Sequence, residues 1–589
     1  MTFLTGNEHR SSTRKTVCCF AFIASVMLSG CGPQQVMGGE AGLKERPNIL
    51  WLVIEDTSPI LPPYGDYTID APNISRLAKG GVTYTNVYSP SGVCSPSRAS
   101  LALGMYPSSI GANHMRTTSH REVTGLPAYE AVPPPAAKML SQYMRGLGYY
   151  TTNNYKTDYQ FKAPENAWND SGVTAHWRNR PEGTPFFSVV NFTTSHESGL
   201  FEPYGFREIE RRHYFSDDAK KITKLPNHHS VKSAETATAI HVAKDTEFPI
   251  PPYLPDTPEV RRDMWKMYNN LAETDLQIGA VLTQLEEDGL LEKTIIFFYA
   301  DHGGPLPRQK RLIYDSGLKV PLIIRFPDSS DAGIKDDQLV SFVDFAPTTL
   351  SLAGRDIPAH MHGVDFISKN KGERQFIHAA ADRFDGFTDS IRAVKDKRYK
   401  YIRNYRPNQA YYLPVKYREK IPTMQALLRL RDSGDLSDVQ AQWFRDSKDV
   451  DELFDTISDP YELNNLAQDP KYADTLNNLK SEMDDWLLRI NDNPDMSERE
   501  LVAKIWDGAS AKPKTEAPIV SFDQGKVSLS SPTMGASLSY KIVHNDDEPK
   551  SWKIYTQPFR VAHGSILKIQ AHRIGFEPSA TLEWISPSP

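Results

Sequence analysis

Four apolar runs of strand length, three of them closed by residues able to do chemistry, constrain this chain more than any other feature. Residues 47–54 (PNILWLVI) run into Glu55 and Asp56, residues 185–192 (PFFSVVNF) into Thr193-Thr194-Ser195-His196, and residues 294–299 (TIIFFY) into Ala300-Asp301-His302-Gly303-Gly304. The fourth, 320–325 (VPLIIR), comes shortly after Lys310 and Asp315. Uninterrupted apolar stretches of this length read as strands buried on both faces. Helical patterns at 136–147 and 261–288 alternate with them, which predicts an α/β fold with a mostly parallel central sheet flanked by helices. Sheets of that kind hold ligands beyond the C-terminal ends of their strands, which is where Glu55, Asp56, His196, Asp301 and His302 fall.

A second stretch, residues 91–104 (SGVCSPSRASLALG), carries Cys94, Pro96 and Arg98 at the start of a predicted helix. Proline suits a first helical turn, whose N–H groups then point towards Cys94 with Arg98 one turn in. A nucleophile at a helix N-terminus beside a guanidinium suits an anion with tetrahedral oxygens. The chain has four cysteines, Cys18, Cys19, Cys31 and Cys94, and the first three belong to the N-terminus. There, Arg14 and Lys15 precede an apolar run from Val17 to Leu28, and Leu28-Ser29-Gly30-Cys31 resembles a bacterial lipoprotein box. Residues 1–30 are then a signal peptide, Cys31 is lipidated as the membrane anchor, and residues 31–45 form a tether. Gly32 after Cys31 favours the outer membrane. Processing leaves Cys94 as the lone free thiol and excludes an intramolecular disulfide.

Glu55, Asp56, Asp301 and His302 are mostly hard oxygen donors, a set for Ca²⁺ or Mg²⁺ and not for zinc. A divalent cation, Arg98 and two lysines gathered on residue 94 match the charge that develops on a transferring sulfuryl or phosphoryl group. A net charge of -6 gives no support to a nucleic-acid partner.

Cys94-Ser95-Pro96-Ser97-Arg98, with Glu55-Asp56 before it and Asp301-His302-Gly303 after it, resembles the type I sulfatases of the alkaline-phosphatase superfamily. The resemblance runs from about residue 47 to about residue 466 and includes 344–349 (DFAPTT) and 452–455 (ELFD). Residues 305–315 (PLPRQKRLIYD) and 111–116 (GANHMR) are similar to sulfatases related to heparan N-sulfatase. The resemblance implies that a maturation enzyme oxidises Cys94 to formylglycine, the nucleophile, and that Arg98 holds it together with the sulfate. It implies metal positions at Glu55, Asp56, Cys94, Asp301 and His302, with His302 in place of the family's frequent asparagine. Lys156 matches the lysine of a G-K-x-H segment, Lys310 a basic residue before Tyr314-Asp315, and His196 the histidine that meets the scissile oxygen. Asp158 stands where that segment ends in histidine, so the base for sulfate release is unassigned. His114, Arg116 and Asp158 are the candidate substrate contacts, the first two to sulfate or uronate.

The expected domains are a catalytic α/β domain over 46–400, a smaller C-terminal subdomain over 401–510 and a β-sandwich module over 519–589. Leu476, Leu479, Met483, Trp486, Leu487 and Ile490 mark an amphipathic helix, and residues 508–518 a linker. Short β-rich runs at 526–529, 537–543 and 566–571 carry the sandwich signature. Its aromatics Tyr540, Trp552, Tyr555 and Trp584 read as core or as a sugar platform. Residues 201–255 read as a loop region near the mouth of the site. Together these predict an exported, lipid-anchored sulfatase of the periplasm or cell surface, acting on a sulfated polysaccharide or its oligosaccharides. A sulfamidase, a phosphodiester or phosphonate hydrolase and a non-catalytic glycan-binding lipoprotein are the alternatives. The glycan, the sulfate position and the oligomeric state stay open.

Overall fold

Strand β1 (Asn48–Ile54) is buried along its whole length, as its unbroken apolar sequence demands, and lies inside an eight-stranded sheet. The structure is a computed structural model and describes residues 46–119, 121–204, 239–368, 372–543, 548–549 and 551–587. The signal segment, Cys31 and the tether lie outside the described residues, as do 205–238 of the loop region expected at the site mouth.

The remaining strands of the sheet are β2 (Val82–Tyr88), β3 (Tyr150–Asn154), β4 (Asp170–Ser171), β5 (Phe186–Phe192), β6 (Thr294–Ala300), β7 (Lys319–Arg325) and β8 (Lys335–Ser341). Their order is β4-β3-β5-β1-β6-β7-β2-β8, and every strand is parallel except β7, which is antiparallel to both neighbours. The chain between β6 and β7 explains that reversal. Gly303 N–H donates to Gly317 and Gly304 N–H to Ser316, so residues 301–318 stay at the C-terminal edge of the sheet and β7 starts where β6 ends. A parallel strand would need a crossover back to the opposite edge.

Register aligns the chemistry. Ile54 pairs with Phe192 on one side and Ala300 on the other, so β5, β1 and β6 end at one level. Helices cover the sheet. The longest, Pro258–Glu287, starts on Thr257, whose side chain accepts from Val260 N–H. Its apolar face is interrupted by buried Asp275, which accepts from the N–H groups of Asn73 (3.2 Å) and Ile74 (2.8 Å) and so caps the helix Pro72–Lys79.

Past the sheet, strands Ile377–Ala381, Ile391–Lys395, Tyr399–Asn404 and Asp451–Asp455 form an antiparallel sheet. It opens at Ile377, upstream of residue 401, where the subdomain was expected to start, and its last strand is recruited over a long separation, Tyr399 pairing with Asp455. The helix Ala473–Ile490 lays Leu479, Met483, Trp486 and Ile490 on this sheet, with Leu476 and Leu487 partly buried.

Residues beyond Ile519 form two antiparallel sheets around Val527, Leu529, Leu567 and Ile569. Tyr540, Tyr555 and Trp584 pack on that core, with Tyr540 stacked on Phe559 at 4.1 Å. This module sits directly on residues 130–166. Arg573 donates to Pro133 O, Gln142 to Ser537 Oγ and Asn166 to Leu538 O, and Lys512 of the linker pairs with Glu130. Gly575, at φ 87°, lies so close to this surface that a Cβ there would stand 2.4 Å from Ala131 O.

Candidate functional site

The level ends of β5, β1 and β6 deliver Ser195-His196, Glu55-Asp56 and Asp301-His302 to one place. Two cross-strand bonds fix them: Asp301 N–H donates to Ile54 O (3.0 Å) and Thr57 N–H to His302 O (3.1 Å). From β2 the chain continues to the helix Cys94–Leu103, all ten of whose residues are buried. Gly104 ends it at φ 67°, a left-handed cap that glycine adopts without strain.

Cys94 Sγ, at the first position of that helix, lies 3.3 Å from His302 Nε2, which lies 3.0 Å from Asp56 Oδ1. Ligand atoms of Asp56, Cys94, Asp301 and His302 all fall within 4.8 Å of one another, and those of Glu55, Asp56 and His196 do likewise. Arg98, one helical turn in, donates to Asp301 (3.1 Å) and Asn191 (2.6 Å) and stands 3.5 Å from Glu55. Lys156 Nζ lies 2.9 Å from Glu55, and Lys310 Nζ lies 2.6 Å from Asp56 and 3.2 Å from Glu197. The His196 ring is set by Nδ1, 2.8 Å from Ser198 Oγ, with Nε2 4.0 Å from Glu55. Ser95 Oγ donates to Asp158, whose carboxylate is 3.9 Å from Lys156.

Of these, Cys94, Ser95, Lys156, Asp158, His196, Glu197 and Lys310 line a cavity of about 260 Å³ together with Arg116 and Arg311. Electrostatics at its base are strongly coupled. Burial alone would raise the pKa of Asp56, but Lys310, His196 and His302 hold it well below the usual carboxylate range. Burial would likewise lower that of His302, yet Asp301, Asp56 and Cys94 push it up to about 10. Lys310 stays charged despite burial through Asp56, Cys94 and Glu197.

The donor set fits a divalent cation. Carboxylate oxygens predominate, and Glu55 Oε2 and Asp56 Oδ1 are buried with no aligned hydrogen-bond donor among the described residues. Both oxygens would be available to hold a cation.

The sequence-derived residues Glu55, Asp56, Cys94, Arg98, Lys156, His196, Asp301, His302 and Lys310 therefore come together, and Arg116 and Asp158 join them on the cavity wall. His114 lies elsewhere. It is buried away from the cavity lining, its Nδ1 accepts from Arg383 N–H at 3.2 Å, and burial pushes its pKa down. Four participants, Asn191, Glu197, Arg311 and Asp385, were absent from the sequence expectations. Asn191 orients Arg98, Glu197 holds Arg311 through two 2.8 Å bonds while facing Lys310, and Asp385 bridges Arg311 and Arg116. Glu197 and Arg311 each adjoin a residue already singled out, His196 and Lys310, which was the available signal. Asp385 has no such neighbour.

Residues 47–180 and 170–355 match the Sulfatase family, and residues 308–423 match the family described as N-sulphoglucosamine sulphohydrolase, C-terminal. The chain is 58% identical over 548 residues, covering 92% of both proteins, to a protein of Formosa agariphila named Ulvan-active sulfatase. It is 22% identical over 481 residues to human N-sulphoglucosamine sulphohydrolase, covering 76% of this chain and 91% of that protein. A solved 2-O GAG sulfatase shares the fold with a TM-score of 0.53 and 19% identity, over 77% of this chain and 96% of that one. On the family match and the 58% identity, the chain belongs to the sulfatase family of the alkaline-phosphatase superfamily and is a sulfatase enzyme.

Proposed function

We propose that this sulfatase hydrolyses sulfate esters of a sulfated polysaccharide or its oligosaccharides, with ulvan, named for the Formosa relative, as the first glycan to test. The observation that carries the proposal is the cluster of Asp56, Cys94, Asp301 and His302 within 4.8 Å, at the base of a cavity walled by Lys156, Lys310 and His196. Glu55, Asp56, Asp301 and His302 would hold Ca²⁺ or Mg²⁺, which neutralises charge on sulfate oxygens. Cys94, oxidised to formylglycine by a maturation enzyme, would supply the nucleophile.

The protein's own side chains account for the rest. Arg98, immobilised between Asp301 and Asn191, presents its guanidinium to the anionic oxygens in one orientation. Lys156 and Lys310 add ammonium groups held in place by Glu55 and Asp56. His196 delivers a proton to the sugar oxygen as its bond to sulfur breaks, and Asp158 accepts the proton released when sulfate leaves. The net reaction consumes one water and yields the sugar alcohol and sulfate.

A second reading, cleavage of a sulfamate, is supported by the match of residues 308–423 to the N-sulphoglucosamine sulphohydrolase C-terminal family. Export and anchoring through Cys31 rest on the lipoprotein-like Leu28–Cys31 segment. Mass spectrometry of the Cys94 peptide, with sulfate release assayed on ulvan, O-sulfated and N-sulfated oligosaccharides, tests the proposal. Formylglycine and release from an O-sulfated glycan are expected. An unmodified cysteine with no release from any of them refutes it, and release from N-sulfated sugars alone selects the sulfamidase. Membrane fractionation of the unaltered protein beside Cys31→Ala tests the anchor, which requires release of the variant from the membrane.

A further inference from the structure

The cavity wall beyond Lys310 carries more positive charge than its carboxylates answer. Arg311 pairs with Glu197 and with Asp385 (3.2 Å), and Arg116 pairs with the same Asp385 at 2.8 Å. Asp385 thus serves two guanidinium groups at the rim. It engages Arg116 through Nε, leaving both Nη groups without a hydrogen-bond partner among the described residues on a side chain that is 44% exposed. The terminal fork of an arginine is the geometry that grips a carboxylate or sulfate through two parallel bonds.

One aromatic ring adjoins both guanidinium groups and a third cation. The Arg116 and Arg311 guanidinium carbons lie 5.9 and 6.0 Å from the centre of the Tyr417 ring. Lys420 Nζ lies 5.3 Å from that ring and 5.5 Å from the ring of Phe201. Lys420 is exposed and, among the described residues, has no carboxylate within ion-pair distance. Behind them, Arg418 is buried against Tyr412 and Trp443, and burial, with a smaller contribution from Arg311, pushes its pKa down to about 10. Among the described residues, Lys310 pairs with Asp56 and Glu197, Arg311 with Glu197 and Asp385, and Arg116 with Asp385, while Asp158 lines the same cavity on the side of Lys156. Cations left exposed side by side next to an anion pocket are stabilised by a further anion.

We propose that the rim made by Arg116, Tyr417 and Lys420 is a second anionic subsite, which takes a carboxylate or a second sulfate on the sugar adjoining the one that loses its sulfate. This rests on the glycan substrate proposed above. Arg116 supplies the fork, Lys420 a point charge, and Tyr417 the surface over which both are held. The subsite selects substrates with two anionic groups on neighbouring sugars.

Binding is measured by calorimetry on full-length enzyme carrying Cys94→Ser, which blocks turnover. The probes are a disaccharide with one sulfate and a neighbouring uronate, its carboxyl-reduced form, and that reduced form bearing a second sulfate on the neighbouring sugar. A two-anion probe is expected to bind at least about tenfold more tightly than the one-anion form. The better of the two identifies carboxylate or sulfate as the natural group. Adding Lys420→Met, and separately Arg116→Met, is expected to remove most of that advantage while the melting temperature holds. Equal affinities for all three probes, no binding of any, or an advantage that survives both substitutions overturns the subsite. Sulfate release by the unsubstituted enzyme is assayed in parallel: two-anion preference without any release leaves the subsite standing and removes the proposed catalysis.

Discussion

Lys310 donates to Asp56 across 2.6 Å although the two residues stand 254 positions apart, and the same ammonium group lies 3.2 Å from Glu197. One buried cation therefore ties the loop after β6 to the strand-end acids of β1 and to the loop after β5.

Lys310→Met tests that tie. Removing the ammonium group leaves Asp56 and Glu197 buried with less countercharge, a loss of about 3–5 kcal/mol in folding stability. Transition-state charge stabilisation is lost too, so kcat/KM is expected to fall by at least about 10²-fold. Chemical denaturation and steady-state sulfate release measure the two effects. Near-normal values of both would remove Lys310 from the site's framework and its chemistry.

Asp158 lines the cavity and accepts from Ser95 Oγ, beside Lys156. Asp158→Asn keeps the shape and removes the proton acceptor. The expected outcome is a kcat lower by about 10²-fold, with KM changed far less. A variant with unaltered kcat would show that Asp158 only orients its neighbours.

Metal removal should act on stability and activity together. Exhaustive chelation is expected to abolish turnover, and adding back Ca²⁺ or Mg²⁺ at a hundredfold excess over Kd to raise folding stability by about 2.7 kcal/mol. Asp301→Asn should lose both responses. Thermal melts with and without cation, alongside activity, decide it. Full activity after chelation with no change in melting temperature counts against a bound cation.

His362 Nδ1 accepts from Tyr106 N–H at 3.0 Å, and burial, with His360 and Arg374 nearby, pushes its pKa down from 6.5 to about 4. The folded protein then binds fewer protons at this site than the unfolded chain between those values. Its contribution to stability is complete above about pH 6.5 and declines as pH falls towards 4. Denaturant melts at pH 7 and pH 5 should show the decline, and His362→Gln should make it shallower. An equal pH dependence in the variant would assign the acid sensitivity to other groups.

Much of this molecule was legible in the sequence because strand burial and strand-end chemistry are local. Residues 47–54 could only be an interior strand, so Glu55 and Asp56 had to emerge at its end, and the same argument held for Asp301 and His302 after 294–299. Cys94 and Arg98 one turn apart at a helix start, and the lone thiol left after Cys31, needed no tertiary information either. Partners across the chain did not reveal themselves this way. Glu197 and Asp385 matter because register and loop packing bring them to Arg311 and Arg116, and no local pattern encodes a contact between residues 385 and 116. The reversal of β7 and the turning of His114 towards Arg383 were decided by where the intervening backbone found its hydrogen bonds. The order of the chemistry lay in the chain, whereas the charge balance around it was set by long-range packing, since a buried carboxylate is tolerated only where folding supplies a counterion or hydrogen-bond donors.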